Sequence, residues 1–386
     1  MVRLSAGLLA TVGVVAVAAA GAGVVLGARD HEGSSVRGAW HDEVTYGSIV
    51  RGAWDDVMAS RSTSCDRVAS TRGSDRAAGT RSRPFRTPRR LVHSLRPGQT
   101  GCLRAGTYVG SMEVGRRGTA ARPIILQPYP GEGARISGRL WLNRRSAHVL
   151  IRGLYLDGRN RARLPSPTVN GRHIVFANND VTNGHTAICF VLGHPDYGVT
   201  RDVTIVRNRI HDCGRLPPTN HDHGIYVSFA RDTRVVGNWI YDNADYGVHL
   251  FPDARRTFVA GNKIDSNGEG IIFGGGRRSA PRNNLVEGNV ISNSRVRDNV
   301  ESNFAGPVGS GNLVRRNCIG GGVGDHGGGG IIEPTIGFAA VDNVIAVPSF
   351  RNAGGGDYRV TPGSRCASVL LGDANEVPGP RHRPPP

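Results

Sequence analysis

Short apolar segments separated by glycine and asparagine recur along most of the chain. Within a segment, apolar and polar positions alternate, as in a strand with one buried face. From residue 149 onward the segments lead repeatedly into Asn-X-Val or Asn-X-Ile, at intervals of 24 to 30 residues. The motif starts at seven asparagines: Asn179, Asn208, Asn238, Asn262, Asn289, Asn317 and Asn343. Short strands at this interval, with no helical periodicity, predict the coils of a parallel β-helix.

The asparagine column has a structural explanation. Asparagine tolerates the left-handed backbone of a sharp bend, and its amide can bond to the asparagine of the next coil. The alternative is a functional role, in which the asparagine side chains form a row of groups that bind a ligand. Seven asparagines at one phase are more typical of a structural column, and we assign them to the fold.

The pattern predicts an all-β protein, a single-stranded parallel β-helix solenoid of about ten coils with small N- and C-terminal caps. The length of the chain allows two or three globular domains, but a solenoid can absorb it as a single unit. We expect these divisions: a signal peptide or membrane anchor at 1–28, a flexible linker at 29–64, an N-terminal cap at 65–100, the β-helix at 101–345, a C-terminal cap at 346–371 and a disordered proline-rich tail at 372–386.

The N-terminal stretch and the cysteines indicate export. Residues 1–28 carry Arg3 and then a long apolar run with small-residue sites for signal peptidase; the run is also long enough for an uncleaved anchor. Six cysteines allow fifteen disulfide pairings. Sequence neighbours are neighbours in space in a solenoid, which favours the set Cys65–Cys102, Cys189–Cys213 and Cys318–Cys366. Metal binding by the cysteines is less favoured, because no Cys-X-X-Cys pair exists.

The net charge of +17 comes almost wholly from arginine, with Lys263 as the single lysine. A strongly cationic protein attracts polyanions such as nucleic acid, acidic lipid or acidic polysaccharide, and charge alone does not choose among them. The chain has no phosphate-binding loop, nucleophile elbow or zinc-protease motif. Nucleotide chemistry and serine hydrolysis therefore have no support in the sequence.

Titratable residues are densest in two adjacent repeats, His221–Val227 (HDHGIYV) and Ala244–Leu250 (ADYGVHL). Aligned on their glycines, the repeats place five residues in one outward column: Cys189, Tyr226, His249, Ile272 and Glu301. The position before the glycine is occupied by three more: His223, Tyr246 and Glu269.

These residue types suit proton transfer. His223, Tyr226 and His249 are the catalytic candidates, with Asp222 orienting them. The candidates for substrate binding are Tyr246, Glu269, Arg231, Arg255 and Arg256, since an arginine can hold a carboxylate through two hydrogen bonds. The alternative is a solvent-facing polar strip that covers backbone. The concentration of histidine beside Asp222 favours function for the cluster as a whole.

His221 and His223 also form a candidate metal pair. Histidines at alternate positions of an extended strand can reach one cation, and Asp222 could join them. The pattern contains no third ligand at a known distance, so this alternative is less favoured.

Three segments resemble the secreted right-handed parallel β-helix repeat proteins, which share the pectin-lyase-like fold: Leu103–Tyr108 (LRAGTY), Thr119–Gly131 (TAARPIILQPYPG) and the Asn-X-Ile coils. The resemblance implies that fold over roughly residues 95 to 345. Proteins of this fold include lyases, C5-epimerases and glycoside hydrolases of polysaccharides, as well as phage tailspikes, adhesins and copper-delivery proteins, so the fold does not fix the function.

In the lyases and epimerases of this fold, the resemblance implies a groove for a uronate chain. A base removes the proton at C5, an acid serves the leaving oxygen, and Ca²⁺, arginine or lysine neutralises the carboxylate. The Asp-Pro-His signature of mannuronan epimerases is absent, because His194-Pro195-Asp196 has the reverse order. A lysine base would depend on Lys263 alone.

These observations favour an exported protein, secreted or at the cell surface, that binds an acidic polysaccharide along the lateral face of the β-helix. The leading hypothesis is a lyase-like or epimerase-like enzyme, with Ca²⁺ as the one cofactor considered. A non-catalytic, adhesin-like binding protein is the first alternative, and a periplasmic metal-handling protein is the second. We expect a monomer that binds no nucleic acid and contacts membrane only through its N-terminal segment.

Overall fold

The computed structural model describes residues 64–323, 329–370 and 375–384. Over these ranges the chain is a right-handed parallel β-helix with one short α-helix, α1 (Pro88–Ser94), near its N-terminal end. The fold class predicted from the sequence is confirmed. The predicted export segment and all but the last residue of the predicted linker lie outside the described residues. Within the described ranges, no helix has the length and apolar character needed to cross a membrane.

Most coils consist of three strands, which build three parallel sheets. Sheet 1 contains β4 (Met112–Val114), β7 (Leu140–Leu142), β10 (Thr168–Val169), β13 (Phe190–Leu192), β16 (Ile225–Arg231), β19 (Tyr246–Arg255), β22 (Glu269–Gly275) and β25 (Val300–Phe304). Sheet 2 contains β1 (Arg67–Ala69), β2 (Thr100–Leu103), β5 (Ile124–Pro128), β8 (Ala147–Arg152), β11 (Arg172–Ala177), β14 (Thr200–Val206), β17 (Arg234–Val236), β20 (Phe258–Ala260), β23 (Leu285–Glu287), β26 (Leu313–Arg315) and β28 (Ala339–Val341).

Sheet 3 contains β3 (Gly106–Val109), β6 (Ala134–Ser137), β9 (Tyr155–Asp157), β12 (Asp180–Thr182), β15 (Arg209–His211), β18 (Trp239–Tyr241), β21 (Lys263–Asp265), β24 (Val290–Ser294), β27 (Cys318–Gly322) and β29 (Val344–Ile345). Sheets 1 and 2 are joined where β16 pairs with β14. An antiparallel pair, β30 (Phe350–Asn352) and β31 (Asp357–Val360), follows the last coil, with short 3-10 helices at Ala353–Gly355 and Arg365–Val369.

The core is a column of apolar side chains inside the coils. Ile225, Val248 and Ile271 occupy equivalent inward positions of β16, β19 and β22, and all three are fully buried. Alternation along each strand then turns the intervening side chains outward. The outer face of a sheet therefore carries one residue per coil at each position, at the strand spacing of roughly 4.8 Å.

The asparagine column is a continuous hydrogen-bonded ladder, as predicted. Each of the first six asparagines donates its side-chain Nδ2 to the Oδ1 of the next, at 2.9–3.0 Å. Two shorter ladders were not predicted: Asn243 donates to Asn267 and Asn284 to Asn312, each at 2.8 Å. Asparagine thus closes all three corners of the coil, so the polar groups of each bend are satisfied inside the protein.

All three disulfides have the favoured sequential pairing: Cys65–Cys102, Cys189–Cys213 and Cys318–Cys366. The first joins the N-terminal cap to β2, and the last joins β27 to the C-terminal cap. Each bridge links segments that are adjacent along the solenoid, which is why sequence order predicted the pairing.

The C-terminal segment folds back over sheet 3. Tyr358 of β31 packs on Trp239 and Tyr241 of β18, with ring centroids 5.6 and 4.7 Å apart. Residues 375–384, the described part of the tail predicted to be disordered (372–386), lie against sheet 3. The Glu376 carboxylate pairs with an arginine of that surface, Arg207, which anchors the segment.

Candidate active site

Sheet 1 brings the predicted outward column together. Tyr226 of β16 is in register with His249 of β19, followed by Ile272 of β22 and Glu301 of β25. The placement of Cys189 in this column was wrong, because Val191 pairs with Tyr226 and occupies the position. Cys189 itself occupies the position that is Gly224 in the next coil, so the alignment on glycines was shifted by two residues there.

Two histidines lie at the centre of the cluster. His249 Nδ1 and His223 Nε2 are 3.2 Å apart, which is hydrogen-bonding distance, and the rings meet edge to face. His223 is 3% exposed, whereas His249 is half-buried and reaches the outer face. Burial lowers the pKa of His223 to about 3. Burial, and then the neighbouring His223 and His221, lower the pKa of His249. Both imidazoles are therefore neutral at neutral pH.

Aromatic rings surround this pair. The Tyr226 ring lies 5.1 Å from His223 and 5.3 Å from His249, measured between centroids. Tyr246 and Phe251 flank His249 at 4.7 and 5.1 Å. Burial raises the pKa of Tyr226, so its phenol keeps its proton at neutral pH. The pair thus faces a protonated hydroxyl in an environment poor in water.

A glycine leaves one side of His249 open. A Cβ atom at Gly274 of β22 would lie 2.7 Å from His249 Nε2 and 2.9 Å from Phe251. The Nε2 atom therefore faces space that a larger residue would fill. Gly274 thus lets another group approach the backbone of β22 closely beside His249.

Two carboxyl groups lie at the C-terminal end of the cluster. Burial raises the pKa of Glu269 to about 9, and the neighbouring Glu301 carboxyl adds to the rise. Glu269 Oε1 accepts a hydrogen bond from Arg297 Nε at 2.8 Å. Glu269 is therefore protonated at neutral pH, next to a guanidinium group.

Arg297 also donates to Asn220 Oδ1, which in turn accepts from the Tyr246 hydroxyl at 2.7 Å. Arg297 and Asn220 were not predicted. They come from loops 77 residues apart, and only the coil geometry brings them to Tyr246. Tyr246 and Glu269, predicted to bind substrate, are both buried. Asn220 is exposed and the Arg297 side chain is half-buried, so Arg297 is the charged member of this group that reaches solvent.

The role predicted for Asp222 is contradicted by its contacts. Its carboxylate accepts from Arg215 Nε at 2.6 Å and from the Arg215 backbone N–H at 3.1 Å, and so closes the loop before β16. It makes no hydrogen bond to a histidine within the described ranges. The side chain within hydrogen-bonding distance of the His249 imidazole is His223.

The prediction that Arg231, Arg255 and Arg256 bind a substrate carboxylate also disagrees with their contacts. Arg231 and Arg255 both pair with Asp253, at 2.5 and 2.7 Å, and Arg256 pairs with Asp232 at 2.6 Å. Asp253 and Asp232 neutralise these guanidinium groups, and each pairs with an arginine of a neighbouring coil. Arg231 and Arg255 are the last residues of β16 and β19, and Arg256 follows β19, so all three lie at the far end of sheet 1 and not beside His249.

The metal and lysine alternatives do not fit the residues present. His221 is exposed, while His223 is buried and its Nε2 faces His249, so the two do not converge on one cation. Among the described residues, no group of three or more His, Cys, Asp or Glu could hold a metal ion. Lys263 is 1% exposed and lies in sheet 3, so it cannot act as a base on sheet 1.

Comparisons with known proteins support the fold. The family model described as "Right handed beta helix region" matches residues 153–336. The chain is 36% identical over 83 residues to the uncharacterized protein YwoF of Bacillus subtilis (strain 168), which is 22% of this chain and 18% of that protein. It is 36% identical over 77 residues to pectate lyase PEL9 of Emericella nidulans, 19% of each chain. The chain thus spans about a fifth of the length of these curated relatives.

Among solved structures, pectate lyase Pel9A superposes on this chain with a TM-score of 0.55 at 13% identity. The superposition covers 84% of this chain and 98% of Pel9A. At this identity the likeness shows a shared fold.

Proposed function

We propose that this chain, a right-handed parallel β-helix protein with the pectin-lyase-like fold, is an enzyme that cleaves or epimerises an acidic polysaccharide on the outer face of sheet 1. The observation that carries the proposal is the neutral pair of His223 and His249, with Tyr226 beside it on the outer face. A neutral imidazole is a base and a protonated phenol is an acid, and the reaction requires both.

His249 is the proposed base. In the required tautomer, Nδ1 carries the proton and donates to His223 Nε2, which leaves Nε2 of His249 to accept the proton from C5 of a uronate. His223 fixes this orientation, as an orienting partner does for other catalytic histidines. Gly274 leaves the space beside Nε2 in which the C5–H group would lie.

Tyr226 is the proposed acid. In β-elimination, the electron pair of the C5–H bond forms the C4–C5 double bond while the C4–O4 bond breaks. The leaving O4 takes the phenolic proton. In epimerisation, the C4–O4 bond stays intact and C5 regains a proton on the opposite face, which Tyr226 can deliver.

The substrate carboxylate needs a cation, because the electrons from C5 develop charge on it. Arg297 is the proposed group. Its guanidinium is partly exposed, and of the two carboxyl groups beside it Glu269 is protonated at neutral pH, so the guanidinium faces the charge of Glu301 alone. This assignment replaces the three arginines predicted from the sequence.

Two further observations support a polysaccharide outside the cell. The net charge of +17 favours polyanions, and three disulfides suit an oxidising compartment. The similarity to pectate lyases supports this class of substrate.

The proposal is tested by incubating the purified protein separately with polygalacturonate, alginate and a glycosaminoglycan. A lyase forms a 4,5-unsaturated uronate, which is followed by its ultraviolet absorbance. An epimerase leaves the chain length unchanged and alters the uronate composition, which is measured by proton NMR. Binding to a polymer with neither product would contradict the enzyme and favour the adhesin-like alternative.

A further inference from the structure

The outward column of sheet 1 continues beyond the histidine pair toward the N-terminus. In register before Tyr226 lie Val191, Thr168 and then Trp141 of β7. Three coils at the strand spacing separate Trp141 from Tyr226 by roughly 14 Å along the axis. Only several linked sugar units, and not one, can bridge that distance.

A loop covers this end of the column. Residues 194–198 form a tight turn, closed by backbone bonds between His194 and Gly198, and contain the His-Pro-Asp segment singled out in the sequence. Tyr197 at its tip is 57% exposed and meets Trp141 edge to face, with centroids 6.1 Å apart. His194 packs on Tyr197 from within the loop at 4.8 Å.

Asn170 holds both the Trp141 side chain and the turn at residues 194–198 in place. Asn170 Oδ1 accepts from Trp141 Nε1 at 2.8 Å, and its Nδ2 donates to the Gly198 carbonyl at 3.2 Å. The Arg139 guanidinium lies 5.1 Å from the centre of the Trp141 ring. The two aromatic side chains are therefore positioned before any ligand arrives, which lowers the entropic cost of binding.

Between the loop and the strands is a cavity of about 330 Å³, lined by Trp141, Tyr197, Glu113, Asn143, Arg144, Arg145 and Asp196. Arg144 and Arg145 are exposed, and neither has an ion pair within the described part of the chain. Glu113 accepts a hydrogen bond from Asn143 at 2.5 Å. The cavity thus combines aromatic rings, which pack against the apolar face of a sugar, with arginines that can bind a carboxylate.

We infer that Trp141, Tyr197, Arg144 and Arg145 form a subsite for a uronate unit of a chain whose other end reaches the histidine pair. The inference rests on the proposed function for the substrate class. With this subsite the protein selects long acidic chains, because a short oligomer can occupy either the Trp141 subsite or the histidine pair but not both.

Binding is measured by calorimetry in the His249→Ala background, so that no probe is consumed. The probes are short and long oligogalacturonates, the same pair of oligomannuronates, and a long neutral cello-oligosaccharide. Trp141→Ala and Tyr197→Ala should weaken binding of the long acidic probes by about tenfold. Arg144→Gln should weaken the long acidic probes and not the neutral one. Tyr197 is exposed, so Tyr197→Ala is the substitution expected to disturb folding least.

The matched controls are Tyr155→Ala on sheet 3 and Arg172→Gln on sheet 2, which should bind like the parent protein. Equal affinity of Trp141→Ala, Tyr197→Ala and the parent for the long acidic probes would overturn the subsite, as would failure of the parent to bind any acidic probe. Long-chain binding that depends on Trp141, in a protein that forms no product, would support the subsite while contradicting the proposed catalysis.

Discussion

His249 Nδ1 lies 3.2 Å from His223 Nε2, so a buried imidazole on one coil is hydrogen-bonded to a partly exposed imidazole on the next. The contact gives the two residues different roles. His223 is buried, so in the proposed mechanism it acts only through the orientation and the pKa of His249.

Replacing the positioning residue should change the pH profile as well as the rate. The pKa of His249 is lowered by burial and by His223 and His221. In His223→Ala it should rise toward the ordinary value of about 6.5. The acidic limb of kcat/KM should then move to higher pH, and kcat should fall by about tenfold or more. A lower rate with an unmoved limb would indicate a purely structural role. His173→Ala, which removes a histidine stacked on His148 at 4.3 Å, is the control.

The low pKa of His223 makes the folded protein sensitive to acid. Below about pH 6.5 the unfolded chain binds a proton at this residue that the folded state refuses until about pH 3. The free energy of unfolding should therefore fall by about 1.4 kcal/mol per pH unit across that window, from this residue alone. His223→Gln should remove this share of the slope in denaturant titrations between about pH 6 and pH 4. An unchanged slope would contradict the buried, neutral state.

The raised pKa of Glu269 should make the folded protein less stable as pH rises. Its pKa in the folded state is about 9, above the ordinary value of 4.5, so its contribution is fully present below about pH 4.5 and is lost as pH rises toward 9. Glu269→Gln should therefore be more stable than the parent at neutral pH, and the difference should grow with pH. Thermal melts at increasing pH measure it. The control is Glu333→Gln, at an exposed glutamate, and its melting temperature should match the parent's.

Adding one methyl group at Gly274 should block the proposed base without removing it. The new Cβ would lie 2.7 Å from His249 Nε2, so the imidazole must turn or the substrate must move away. Gly274→Ala should lower kcat by about tenfold or more, with a melting temperature close to the parent's. In Gly363→Ala the Cβ would meet no atom within 4 Å, and this variant should be unaffected. Full activity of Gly274→Ala would show that Nε2 is not the reacting atom.

The sequence was sufficient for the fold because each coil repeats the same local rules. Asn238 and Asn262 had to be neighbours once the period was known, and the structure has their amides bonded at 3.0 Å. Cys189–Cys213 followed from the same adjacency. The pairing of Tyr226 with His249 also follows from register, because each lies two residues after the glycine of its own strand, Gly224 or Gly247.

The parts of the site that the sequence could not provide come from loops. Asp222 was assigned to a histidine because it is adjacent in sequence, but its loop folds so that Arg215 takes the carboxylate. Arg297 was missed because loop length, and not strand period, brings it to Glu269. Arg231 was predicted to bind a substrate carboxylate because the sequence does not show that the fold brings Asp253 next to it.

The central claim is that His249 removes the proton from C5 of a uronate on sheet 1. The most direct test is the initial rate at which the unsaturated product, or the epimerised unit, forms from the acidic polymer that the parent protein accepts. We expect His249→Ala to lose about 100- to 10,000-fold of that rate, while His173→Ala, on sheet 2, keeps it. A folded His249→Ala protein with the parent's rate would contradict the account.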